Sequence, residues 1–132
     1  MLKLEIVTPE KRVFDDEVDS VTVPTVSGEA GIFPNHAPLI SALKPGILSY
    51  ARKGESDRLA VSGGFVEVKG DRVAVLADSA ESAADVDVES ARVEREAAEK
   101  ALASASTAPI EENAALHKKL ETANARITLA GK

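Results

Sequence analysis

The sequence predicts a small antiparallel β-sandwich over residues 1–83, followed by a C-terminal α-helical hairpin over residues 84–132. Two observations carry this prediction. The first 80 residues show short apolar runs that alternate at period two and are separated by turn signals roughly every ten residues, which is typical of a sandwich. Near Asp85 the composition changes to Ala, Glu and Arg, with neither Gly nor Pro through Leu102, and that composition favours helix.

The strand signals begin at the first residues. Leu2, Leu4 and Ile6 alternate with Lys3 and Glu5, so one face of this strand is apolar. Further candidate strands lie at 18–23, 47–52, 58–62, 65–69 and 72–77. The connections between them are too short for crossover helices, so we expect mainly antiparallel pairing, with a hairpin that turns at Gly70-Asp71.

The second part of the chain has the signals of two helices. Asp87 is a suitable N-cap for the first helix, and the segment 104–109 ends it. A second helix is predicted from Ile110, with one apolar face formed by Leu116, Leu120, Ala123 and Ile127. A linker of about six residues implies an antiparallel hairpin. Its seam is rich in alanine and buries little area, so we expect it to lean on the sandwich or on a partner, and to be able to detach.

Composition and charge exclude several classes of function. The net charge is −6, only four aromatic residues occur, and neither half of the chain is basic, so nucleic-acid binding is not expected. No apolar run approaches the roughly 20 residues that span a bilayer, so direct membrane insertion is not expected either. The N-terminus has no signal-peptide pattern, and the chain has no cysteine, which together predict a cytosolic protein.

No constellation of residues points to catalysis. The two histidines fall in different modules, without further ligands at metal-binding spacing, so neither a metal nor a cofactor is expected. Ser62 lies in Val61-Ser-Gly-Gly-Phe65, which lacks the first glycine of a nucleophile elbow and is interpreted as a tight turn joining two strands. The acidic cluster at 15–19 is interpreted as a solvated strand edge. A hydrolase would need a nucleophile and a base in contact, and the sequence offers no such pair, so a non-catalytic protein is predicted.

Four segments resemble a known family. They are Gly28-Glu-Ala-Gly-Ile-Phe-Pro-Asn-His-Ala-Pro-Leu39, Ala42-Leu-Lys-Pro-Gly46, Val61-Ser-Gly-Gly-Phe-Val-Glu-Val68 and Val73-Ala-Val-Leu-Ala-Asp78. Together they resemble the epsilon subunit of F-type ATP synthases, and the resemblance extends over essentially the whole chain. It implies a rotor subunit of the central stalk, at the cytoplasmic face of the bacterial inner membrane. The implied partners are the gamma subunit, the c-ring, and the alpha and beta subunits.

The resemblance also implies roles for particular residues. Glu29 matches the acidic residue that meets the c-ring loops, and His36 and Ser41 match positions on the c-ring and gamma side. The sandwich would bind gamma and the c-ring, whereas the hairpin could extend and inhibit ATP hydrolysis. In that extended state, the basic residues Lys118, Lys119 and Arg126 are possible contacts of beta.

The sequence departs from the family's pattern at the motif that binds ATP in some members. Some members of the family bind ATP through an Asp-x-x-Arg-Ala motif at the first helix. Here Asp87 and Ala91 match, but Ser90 stands where the arginine belongs. Arg92 lies about 200° around a helix from that position and cannot replace it. Regulation by bound ATP is therefore not expected. The competing interpretation from another class is a stand-alone sandwich that binds carbohydrate or protein, and a stable complex with gamma would exclude it.

Overall fold

The structure, a computed structural model, describes residues 1–34, 37–104 and 110–130 of the chain. Within them, ten strands precede two long helices. The strands are β1 (Leu2–Val7), β2 (Arg12–Val18), β3 (Ser20–Thr25), β4 (Gly28–Ile32), β5 (Leu39–Leu43), β6 (Gly46–Arg52), β7 (Glu55–Val61), β8 (Gly64–Lys69), β9 (Arg72–Ala77) and β10 (Ala80–Ser82). A short 3₁₀ turn (Ala83–Asp85) leads to α1 (Val88–Ser104) and α2 (Ile110–Ala130). The predicted sandwich followed by a helical hairpin is confirmed.

The strands follow the order β10-β7-β6-β3-β5-β8-β9-β1-β2, with β4 paired to β3. A single residue pair, Thr25 with Leu43, joins β3 to β5, so the path divides there into the two layers of the sandwich. The pairs are antiparallel except for β1 with β9, which is parallel. The predicted hairpin at Gly70-Asp71 is formed by β8 and β9, and Gly70 adopts the left-handed conformation there (φ 61°).

The core lies between the two layers. Alternate residues of β1, β8 and β9 point inward, as the period-two pattern predicts. Sixteen buried apolar residues form one cluster: Leu2, Leu4, Ile6, Val18, Val21, Val23, Ile32, Leu43, Leu48, Leu59, Val61, Val66, Val68, Val73, Val75 and Ala77. A dense core built from both layers makes the sandwich the rigid part of the molecule.

Strand β2 is an edge strand at one end of this path, and it carries Asp15, Asp16 and Glu17 of the acidic cluster. The Lys3 ammonium on β1 lies 2.8 Å from the Asp15 carboxylate, and the Arg52 guanidinium on β6 lies 2.9 Å from the Asp16 carboxylate. The hydrogen bond from Lys3 lowers the pKa of Asp15 below its ordinary value. The prediction of a strand edge is correct, and the structure adds that these carboxylates are ion-paired.

The helices begin close to where the sequence places them. The Asp87 side chain accepts a hydrogen bond of 3.1 Å from the Ser90 backbone N–H, so Asp87 is the N-cap of α1 as predicted. The two helices are antiparallel, since residue 126 of α2 pairs with residue 94 of α1 while Ala101 and Leu116 line one groove. The predicted break at 104–109 lies mostly outside the described residues. Whether residues 1–83 and 84–132 fold as independent units stays a prediction.

Candidate interaction surfaces

The outer side of one layer carries large apolar side chains that no described part of the chain covers. On β8, Val66 and Val68 point into the core, so Phe65 points outward and is 58% exposed. Leu76 on β9 is directly opposite Phe65 and is 56% exposed. Ile40 on the neighbouring β5 is 73% exposed. We call Ile40, Phe65 and Leu76 the outer apolar face.

The outer apolar face continues along the strand register. Ala42 on β5 is opposite Phe65, and the backbone N–H of Val26 donates a bond of 3.1 Å to the Ala42 carbonyl. Val26 is itself 65% exposed, so the turn after β3 borders this face. Large apolar side chains grouped on one exposed sheet face are typical of a protein–protein contact, and the exposed Glu67, opposite Ile40, borders them. This face was not predicted from the sequence, although the consecutive apolar residues Phe65 and Val66 place one large side chain on each side of the strand.

Glu29 is presented by a tight turn between β3 and β4. The Thr25 hydroxyl donates a hydrogen bond to the Gly28 carbonyl, 2.5 Å away, and accepts one from the Ser27 backbone N–H at 3.2 Å. Gly28 has a φ of 118°, which favours glycine. Glu29 follows at the start of β4, opposite Pro24, and its side chain is exposed. The turn therefore holds a solvent-facing carboxylate on a well-defined backbone.

Two further residues, Ser41 and His36, were matched by resemblance to the c-ring and gamma side. Ser41 is opposite Val66 in the register of β5 and β8, so it shares the core-facing side and not the outer apolar face. Its hydroxyl contacts the Ala42 carbonyl at 3.3 Å. His36 lies outside the described residues. Of the three, Glu29 is therefore the one whose exposed side chain the structure places at a surface.

The helical hairpin is docked on the outer side of the other layer. A small cluster separate from the main core forms the contact: Ala60 of β7 packs with Ala125 and Leu129 of α2, and Ile47 and Val86 lie against them. The predicted face of α2 holds in part, because Ala123 is fully buried while Leu116, Leu120 and Ile127 are half-buried. The sheet-facing pair Ala125 and Leu129 was not predicted.

Arg126 of α2 contacts two other elements at once. Its Nε lies 2.6 Å from Glu81 of β10, and its Nη1 lies 2.5 Å from Glu94 of α1. The Arg126 side chain is only 13% exposed. Burial by itself disfavours the charged form, but the hydrogen bonds and charges of Glu81 and then Glu94 outweigh it, so the pKa of Arg126 is raised. The guanidinium joins both helices and the sandwich in one ion-pair cluster.

The two lysines matched to beta differ in their surroundings. The Lys118 ammonium lies 3.0 Å from Asp78, just after β9, and both side chains are more than half exposed. Lys119 is exposed and faces the groove between the helices. A weaker contact of 3.9 Å joins Lys44 to Glu121. In this docked arrangement, Lys118 and Arg126 are therefore engaged with the chain itself.

The positions that were compared with the family's nucleotide motif lie at the start of α1. The Asp87 carboxylate caps α1 through the Ser90 N–H, and Ala91 is completely buried. All three positions therefore serve the start of the helix.

The remaining candidates for chemistry have structural surroundings. Ser62 lies in the turn between β7 and β8, and its hydroxyl accepts a hydrogen bond of 2.7 Å from the Ser79 hydroxyl. Among the described residues, no group of three or more His, Cys, Asp or Glu side chains could hold a metal ion. No helix in the described ranges is long and apolar enough to cross a membrane.

A rigid sandwich with an uncovered apolar face and a lightly docked hairpin defines a class of small subunit built for protein contacts. Comparison with known proteins identifies the family. The family described as ATP synthase, Delta/Epsilon chain, beta-sandwich domain matches residues 1–83. The ATP synthase epsilon chain of Anaeromyxobacter dehalogenans strain 2CP-1 is 44% identical over 131 residues, which are 99% of this chain and 98% of that one. The chain therefore belongs to the ATP synthase delta/epsilon family, among its epsilon chains.

Further comparisons agree. The epsilon chain of Desulforamulus reducens is 52% identical over 100 residues, which are 76% of each chain. Among solved structures, a chain of the Euglena gracilis mitochondrial ATP synthase (OSCP/F1/c-ring) superposes with a TM-score of 0.78 at 24% identity, over 99% of this chain and 81% of that one. A chain of the Tetrahymena thermophila central stalk and c-ring gives 0.56 at 19% identity, over 64% and 68%. At these identities the structural likeness concerns the fold.

Proposed function

We propose that this chain is a non-catalytic subunit of the central stalk of an F-type ATP synthase, at the cytoplasmic face of a bacterial inner membrane. In this role the sandwich binds the gamma subunit and rests on the c-ring, so that ring rotation is coupled to ATP synthesis at the alpha and beta subunits. The relationship to epsilon chains along 99% of the sequence supports this proposal. The hairpin is the regulatory part and inhibits ATP hydrolysis when it extends.

The outer apolar face is the observation that carries the partner assignment. The sandwich already buries a complete core, so Ile40, Phe65 and Leu76 are not needed to fold it. Leaving three large apolar side chains more than half exposed on one sheet face is explained when a partner covers them. We assign that partner as gamma. A rigid, fully paired sheet loses little entropy on binding, which suits a contact that must transmit torque.

A charge placed on the outer apolar face should weaken this contact strongly. We expect Leu76→Glu to weaken binding to gamma at least about 30-fold, since a central apolar anchor contributes about 2 kcal/mol or more and the new carboxylate would be buried unpaired. The measurement is co-purification with tagged gamma, followed by a titration of purified subunits.

Val93→Glu is the matched control. Val93 is 64% exposed on α1, away from the sheet, so the same substitution there should leave binding to gamma unchanged. Melting temperatures of both variants check that the sandwich remains folded. If wild-type chain fails to bind gamma, the central-stalk assignment is wrong, and a stand-alone sandwich that binds carbohydrate or protein becomes the better interpretation.

Glu29 is proposed to meet polar loops of the c-ring. Its exposed carboxylate on a well-ordered turn can accept charge-assisted hydrogen bonds. We expect Glu29→Lys to reduce proton pumping driven by ATP hydrolysis, while the melting temperature of the isolated subunit stays within about 2 °C. Glu10→Lys, an equal change of charge at another exposed turn, should pump normally. Normal pumping by Glu29→Lys would remove the c-ring contact from this residue.

A further inference from the structure

The hairpin has little apolar surface with which to hold the sandwich. Among the described residues, the buried cluster between them consists of Ala60, Ala125 and Leu129, two of them alanines, with Ile47 and Val86 partly buried against it. The main core, by comparison, consists of sixteen residues dominated by valine, leucine and isoleucine. Because hydrophobic stabilisation scales with the buried apolar area, this contact by itself favours docking only weakly. Other interactions must contribute to the preference for the docked arrangement.

Among the described residues, three ion pairs cross from α2 to the sandwich, and their side chains differ in exposure. The Lys118–Asp78 and Lys44–Glu121 pairs have side chains about half exposed, so solvent screens them. Arg126 is 13% exposed and its partner Glu81 is 28% exposed. A guanidinium withdrawn from water must keep its carboxylates, because losing one leaves a charge poorly compensated. The Arg126–Glu81 pair is therefore the contact on which docking depends most.

The same guanidinium also contacts Glu94, which lies on the other helix. Pairing of α1 with α2 and docking of α2 on the sheet thus share one side chain. When α2 leaves the sheet, Arg126 separates from Glu81 and its charge must be solvated again. Glu81 is on β10, the edge strand that leads directly into the 3₁₀ turn and α1, so it is fixed to the sandwich at the base of the hairpin.

We propose that Arg126, held between Glu81 and Glu94, links the pairing of α1 with α2 to the docking of α2 on the sheet, and that Glu81 sets the ratio of released to docked hairpin. We call this three-residue ion-pair cluster the latch. This inference rests on the proposed function for its biological meaning, because release is the step that precedes extension toward beta. The latch itself is a property of the isolated chain. It can fail while the central-stalk assignment stands, and the reverse is also true.

The chain has no cysteine, so two introduced cysteines can carry spin labels without further change. Ser56→Cys on β7 and Ala114→Cys on α2 are both exposed. Pulsed electron paramagnetic resonance on the full chain then gives the distance distribution between sandwich and hairpin. In the otherwise unchanged protein we expect one dominant population, the docked one. With Glu81→Gln, we expect the ratio of released to docked hairpin to rise roughly tenfold or more, since a desolvated arginine loses its charged partner.

Asp78→Asn is the matched control, because it neutralises the exposed partner of Lys118 in the same way. It should change the ratio by less than about fivefold. Arg126→Gln gives a second route to the same result and closes a double-mutant cycle: the effects of Arg126→Gln and Glu81→Gln should be strongly non-additive. Additive effects, or a distance distribution in Glu81→Gln no different from that in Asp78→Asn, would overturn the latch. Circular dichroism of each variant confirms that the strands remain folded.

Discussion

Replacing Gly64 with alanine is expected to destabilise the sandwich severely, whereas the same substitution at Gly28 should destabilise it only moderately. Both glycines have φ angles that L side chains rarely adopt, 121° at Gly64 and 118° at Gly28, so an alanine is strained at both. The space around them differs. At Gly64 a Cβ would lie 1.9 Å from the Leu76 carbonyl oxygen and 2.9 Å from the Ala77 Cα, whereas at Gly28 nothing lies within 4 Å.

The obstacle at Gly64 is backbone, and it cannot rotate away as a side chain could. Gly64 pairs with Ala77 in the ladder between β8 and β9, so relief would require the two strands to separate at this end. Strain alone costs about 1–3 kcal/mol, which is the expected loss at Gly28. At Gly64 we expect a loss above about 4 kcal/mol, a large part of the 5–15 kcal/mol that stabilises a typical domain.

Urea denaturation followed by circular dichroism measures both losses. Because backbone strain is expected in both variants, a much larger loss at Gly64 is attributed to the steric overlap. Equal midpoints for Gly28→Ala and Gly64→Ala would show that β8 and β9 do not approach each other as described. This approach also keeps Phe65 and Leu76 side by side, so the test bears directly on the outer apolar face.

The second large effect concerns ATP hydrolysis by the assembled complex. Deleting residues 110–132 removes α2, which supplies the buried contacts with the sheet and the basic residues Lys118, Lys119 and Arg126. If the extended hairpin inhibits, hydrolysis should rise when this helix is absent. The strands do not depend on α2 for their core, so the sandwich should still assemble with its partners.

A single lysine should matter little by comparison. The side chains of the Lys118–Asp78 pair are 52% and 57% exposed, and such pairs contribute about 0–1 kcal/mol, at most about fivefold in an equilibrium. Lys118→Ala also loosens docking while it removes a possible contact with beta, so the two consequences oppose each other. We expect its hydrolysis rate to stay near that of the unchanged complex. Equal rates with and without residues 110–132 would leave this chain as a coupling element without inhibitory function.

The sequence alone was sufficient for the features that depend on neighbours in the chain. Alternation in Leu2, Leu4 and Ile6 defined the inner face of β1, and Gly70 marked the hairpin between β8 and β9. Asp87 marked the start of α1 because capping requires only the backbone two or three residues ahead. The alanine-rich seam between the helices was also predicted from the sequence, and Ala91, Ala98 and Ala123 are buried. Each of these signals acts within a few residues.

Only the tertiary structure decided which residues meet across the fold. Phe65 and Leu76 form part of a common face with Ile40 because β5, β8 and β9 are neighbours, an order that no local pattern contains. The sequence grouped Arg126 with Lys118 and Lys119 as basic residues that could contact beta, yet it lies against Glu81, 45 residues earlier, and Glu94, 32 residues earlier. A charged side chain on a helix can be either solvated or ion-paired with little difference in local free energy, so the sequence around it does not show which occurs. Its partner is fixed by strand register and helix docking, and these depend on the burial of the whole core rather than on the residue itself.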